Sequence, residues 1–148
     1  MRRGISKVCL GVAVVALFVA SVARAESFVF VRNARNPVSR LTKTEVRKLF
    51  TGRSKQWTSG KVFQGVIGEI DSAEFIWLSW AIFDMSPKDL LTKMKQEIFR
   101  GEMKRPIVVK SSDECIDVVQ KTEAALCVTA ESSARSLPDG VVILPVVD

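Results

Sequence analysis

Three carboxylates crowd one short stretch, Glu69, Asp71 and Glu74 in GEIDSAEF (residues 68–75). The stretch reads as a strand end turning into a helix, where free backbone N–H groups and the positive end of the helix dipole favour anions. Asp71 and Glu74 have the spacing of a capping box, with Ser72 as the alternative cap. Three readings stay open: a helix that caps itself, an anion site that is weakened or altered, and a cation site built from oxygen ligands alone. No cofactor is implied, and no metal site is assigned.

Other chemistry is narrowed by what the 148 residues lack. There is no histidine, which removes Ser-His-Asp and Cys-His nucleophile systems and His-based zinc sites. No Ser-x-x-Lys and no glycine-rich phosphate loop occurs. The chain is therefore read as a non-enzyme. Cys115 and Cys127 form an even pair once the leader is set aside. In an oxidising compartment such a pair suggests a disulfide; the alternative is two small buried apolar residues.

The leader itself has three parts. MRRGISK is basic, Val8–Ala23 is apolar and uncharged, and Ala23-Arg24-Ala25 offers small residues at a cleavage site. This is the pattern of a secretory signal over residues 1–25, and the expected location is the periplasm. The apolar run is shorter than the roughly 20 residues that span a bilayer. Membrane contact is thus expected only through this segment before cleavage, a retained N-terminal anchor being the rival. Residues 26–148 suffice for one domain. The full chain carries a net +6, but four of its 22 bases (Arg2, Arg3, Lys7, Arg24) and none of its 16 acids lie in the leader. The remainder has 18 bases against 16 acids, a net +2. That is weak support for nucleic acid, although Arg53 and Lys55 stand near Trp57.

The elements that would position these groups alternate. SFVFVRN, VFQGVIG, RPIVVK, AALCVTA and VVILPVV read as strands. LTKTEVRKLFTG is a helix with Thr42 and Glu45 as a capping box, Leu41 stapled to Val46, and Gly52 at its C-terminal cap. SAEFIWLSWAIF is a helix apolar almost all round, with Phe75, Ile76, Ser79, Ile82 and Phe83 on one face and Ala73, Trp77 and Trp80 on another. Trp77 and Trp80 are either ordinary core or an interface for a partner, such as an envelope protein. Ser86 and Pro87 open a third helix, and Ser112 opens a fourth. This order predicts an α/β fold, a mainly parallel sheet of about five strands flanked by about four helices. Ligands in such sheets collect beyond the carboxyl ends of the strands. The candidate ligand-binding residues on that rim are Asn33, Asp71, Ser72, Ala73, Ser111 and Thr129.

One known family resembles the chain from about Phe28 to Val146. NPVSRLTKTEVRKLFTGRSKQW looks like the Asn-Pro, capped-helix, Phe-x-Gly, basic, Trp block of the phosphate-binding periplasmic substrate-binding proteins of ABC transporters. AALCVTA sits where that family has a Gly-Ala-Ile-Gly-Tyr-Val strand, and DSAEF where it has a Ser-rich turn entering a helix. The resemblance implies one lobe of a type II periplasmic binding fold, with phosphate or another small anion as ligand. The short single-domain members are the most similar. In the family, an arginine is followed four residues later by Ser-Gly-Thr. Aligned on Ser72, Gly68 stands at the arginine, Ala73 at the glycine and Glu74 at the threonine.

Overall fold

The alternation of Phe28–Asn33 makes it strand β1, and a computed structural model, which describes residues 26–148, places it inside the sheet rather than at its edge. The expected leader lies outside the described residues. After β1 come β2 (Leu41–Thr42), helix α1 (Lys43–Phe50), β3 (Gln64–Gly68) and helix α2 (Ala73–Trp77). Next are a π turn (Leu78–Ile82), α3 (Pro87–Phe99), β4 (Ile107–Val109), α4 (Ser112–Lys121), β5 (Ala125–Ala130), β6 (Val141–Leu144) and β7 (Val146–Val147).

Five strands form the main sheet in the order β4-β3-β5-β1-β6. β3 pairs in parallel with β4 and β5, whereas β1 runs antiparallel to both β5 and β6. The sheet is therefore mixed, where a mainly parallel one was expected. The reason is geometric. A crossover helix enforces parallel pairing only on strands it joins as neighbours. The helices between β3 and β4 do so, α4 crosses over β3 to bring β5 in beside it, and β5 separates β1 from β3. Pro145 ends β6, and the chain resumes as β7 in a small parallel pair with β2.

Helices cover both faces. Phe30, Phe50, Trp57, Phe75, Leu90, Met94, Leu126 and Val128 belong to the core under α1–α3. Val31, Val66, Cys115, Val119 and Cys127 belong to the smaller core under α4. All six residues of β5 are buried, as its continuous apolar run requires. Cys115 on α4 and Cys127 on β5 are joined by a disulfide, with their α-carbons 6.1 Å apart.

Capping holds as expected at α1. Thr42 Oγ1 accepts from the Glu45 N–H at 3.1 Å, and the Glu45 carboxylate accepts from the Thr42 N–H at 2.7 Å. At α4 the cap is Ser111, one residue before the expected Ser112. The helix after β3 also differs, because it turns π at Leu78. The Ser79 hydroxyl donates back to the Phe75 carbonyl at 2.7 Å, a contact that competes with regular helical bonding. A π turn inserts a residue and rotates the helix beyond it. Leu78, Ser79 and Ile82 face inward with Phe75, while Trp80 is 56% exposed.

Candidate functional site

The carboxyl ends of β3, β4 and β5 point towards one rim, and the turn after β3 opens it. Ser72, not Asp71, is the N-cap of α2: its Oγ accepts from the Phe75 N–H at 3.2 Å and donates to the Glu69 carbonyl at 2.6 Å. Asp71 is exposed beside it. Close packing decides between the two caps. A β-carbon at Gly68 would overlap Ser72 Oγ and come within 3.1 Å of Ser72 Cβ. Ser72 thus occupies the space that a side chain at position 68 would need.

The second acid of the turn is also engaged. Glu74 accepts a hydrogen bond from the Ser112 hydroxyl at 2.8 Å, and Ser112 Oγ accepts from the Ala130 N–H at 3.1 Å. This chain of bonds ties the first turn of α2 to the first turn of α4 and to the end of β5. Ser111 Oγ accepts from the Glu114 N–H, and the Glu114 carboxylate accepts from the Lys110 N–H at 2.8 Å. The cavity left among Gly68, Ser72, Glu74, Val109, Lys110 and Ser111 is about 10 Å³. That is about the space needed for one water. A four-oxygen anion does not fit without moving Ser72 or Glu74.

Lys110 lines this small cavity and is exposed. Arg105, which with Lys104 precedes β4, lies at the far end, where its carbonyl accepts from Gln64 Nε2 at the start of β3. Among the described residues no group of three or more His, Cys, Asp or Glu side chains is placed to hold a metal.

The structure splits the six expected ligand residues. Ser72 and Ser111 line the cavity, with Ala73 and Asp71 next to Ser72 but exposed. Asn33 lies on the opposite rim, because β1 runs against β5. Its amide donates to the Val119 and Gln120 carbonyls and so closes the C-terminal end of α4. Thr129 is wholly buried within β5, and its hydroxyl has no protein partner. Ser112 was missed as the partner of Glu74. The available signal was that both residues open helices that come after β3 and β4, adjacent parallel strands.

The two tryptophans also part. Trp77 packs against Phe28 and Phe30, with ring centroids 5.8 and 5.9 Å apart, whereas Trp80 faces outward. Trp57 is buried and donates from Nε1 to the Ala124 carbonyl at 2.8 Å. Its ring is therefore not offered for stacking on a base.

Gly68 gives the turn a sharp test. Gly68→Ala is expected to cost about 1–3 kcal/mol through overpacking. In a Ser72→Ala background the same change should cost less, because the overlapping hydroxyl is gone. Urea unfolding of the four proteins measures this coupling. Equal costs in both backgrounds would mean that Ser72 does not fill the space.

No protein-family model and no curated protein matches the chain. Solved structures do. PstS from Borrelia burgdorferi superposes with a TM-score of 0.65 at 16% identity, over 82% of this chain and 47% of the other. The chain has the fold of a substrate-binding-protein lobe. An ABC-type phosphate transport receptor from Vibrio cholerae gives a TM-score of 0.52 at 18% identity, covering 82% of the lobe and 46% of its own chain. A phosphate ABC-transporter substrate-binding protein from Clostridium perfringens, so described and holding bound phosphate, gives 0.60 at 18% identity over 83% and 46%. The lobe thus spans about half the length of the solved structures it matches.

Proposed function

We propose that the lobe is an exported, non-catalytic solute-binding-protein-like domain whose small-anion turn has been closed by its own side chains. The observation that carries this reading is the pairing of Glu74 with Ser112 across the turn, beside a cavity of about 10 Å³. An entering phosphate would meet the Glu74 carboxylate. Two unit charges about 4 Å apart repel by ~4 kcal/mol at an effective dielectric of about 20, roughly a thousandfold in affinity. Among the described residues Lys110 is the one base lining the cavity at the turn, and as an exposed point charge it offsets only part of this. The leader and the substrate-binding-protein fold support export to the periplasm. The lack of histidine supports a role without catalysis.

Calorimetric titration with phosphate, sulfate and small carboxylates tests the proposal. No saturable binding that depends on Ser72 is expected at millimolar anion. Saturable phosphate binding that Ser72→Ala weakens would overturn it.

A second reading, a periplasmic protein–protein interaction module that has lost ligand binding, is favoured by a different observation. Ile70 in the turn before α2, Ile76 on α2 and Trp80 in the π turn are 43%, 40% and 56% exposed. Exposed large apolar side chains grouped in one stretch of chain are typical of contact surfaces.

A further inference from the structure

Four basic side chains away from the closed turn converge on one cleft. Arg47 and Lys48 stand in the last turn of α1, Arg53 comes just after that helix, and Lys93 lies on α3. The cleft between them has a volume of about 440 Å³ and a single acid in its lining, Asp84. Its local balance of four bases to one acid exceeds the net +2 of residues 26–148 as a whole. Positive charge is thus concentrated here and compensated elsewhere.

None of these four bases stands within ion-pair distance of a carboxylate among the described residues; the ion pairs present use Lys43, Lys55, Lys61, Arg100 and Lys121. Lys93 is nevertheless half-buried. Arg47 is held in place, because its Nε donates to the Ile82 carbonyl at the end of the π turn. Like charges gathered in a concave site repel one another and focus an attractive field on anions. The wall is not purely polar, since Phe83 and Met85 contribute apolar surface. Asp84, exposed and held at φ 51° in the lining, can accept a hydrogen bond from a ligand hydroxyl.

We propose that this cleft binds an organic phosphate carrying two or more negative charges. Lys48, Arg53 and Lys93 supply the charge, and Phe83 and Met85 meet the carbon skeleton. Arginine presents a planar fork to phosphate oxygens, and lysine a point charge. The phosphate groups belong either to a soluble molecule or to the headgroups of an anionic lipid surface. The site is distinct from the closed turn at Ser72 and stands whether or not that turn binds anything.

The test uses the purified protein at low ionic strength in two arms: titration with inorganic pyrophosphate, and sedimentation with phosphatidylglycerol against phosphatidylcholine vesicles. Saturable binding is expected in at least one arm. Pyrophosphate binding identifies a soluble ligand; binding to phosphatidylglycerol vesicles alone identifies a headgroup. The exposed pair Lys48→Gln/Arg53→Gln should weaken either by about tenfold or more, the worth of one good charged contact. Ser72→Ala should leave it unchanged. No binding in either arm, or binding that the double variant leaves intact, would overturn the proposal.

Discussion

Gly52→Ala is expected to destabilise the protein by about 3 kcal/mol, from left-handed backbone strain and overpacking together. Gly52 holds φ 74° after α1. A β-carbon there would overlap the Glu102 carbonyl oxygen and approach Met103 Cβ at 2.9 Å. The carbonyl belongs to backbone and cannot rotate aside as a side chain would. Gly60 is the natural control, with φ 86° and nothing within 4 Å of an added β-carbon. Gly60→Ala should cost only the strain, about 1 kcal/mol. Urea midpoints of the two variants separate the terms. Equal losses would show that the contact with residues 102–103 is not made. A loss of this size is a large part of the roughly 5–15 kcal/mol that holds a domain together.

The second large effect belongs to the cysteines. Cys115 and Cys127 are 12 residues apart in sequence and both almost fully buried. Closing a loop of this length restricts the unfolded chain by about 3 kcal/mol on the chain-entropy account. Reduction, or Cys115→Ala with Cys127→Ala, is expected to lower stability by about 2–4 kcal/mol. The bond also clamps α4 to β5, and α4 carries Ser112, which holds Glu74. Loss of the bond should therefore loosen the turn as well, seen as faster amide exchange at Ala130. A urea midpoint that is the same with and without reductant would contradict this.

Local features were readable from residue type where one side chain had one satisfying role. Thr42 with Glu45, Ser86 before Pro87, and the apolar run of β5 all predicted their structures, because caps and double-sided burial depend on near neighbours. The expected five strands and four helices are present for the same reason. Features decided at a distance were not readable. The direction of β1 depends on which strands end up beside it, and alternation along the chain does not encode that. Asp71 and Ser72 can both cap a helix; the choice fell to Ser72, whose hydroxyl packs on Gly68 and bonds Glu69. Trp77 parts from Trp80 because it meets Phe28 and Phe30 of β1, contacts that spacing along the helix does not encode. The position of Asn33 on the rim depended on strand direction and moved when that direction reversed. The fourfold basic cleft draws on α1, the loop after it and α3, and no spacing in the chain brings those bases together.

Whether the turn after β3 is closed to anions is best tested by a residue-resolved measurement. Backbone amide resonances of Ser72, Ala73 and Glu74 should be followed by NMR as phosphate is added to millimolar concentration. The closed turn predicts that these three do not shift in a saturable way, whatever happens at Lys48 and Arg53. A saturating shift at Ala73 and Glu74, with Glu74 released from Ser112, would show that the turn still takes phosphate and would contradict the account.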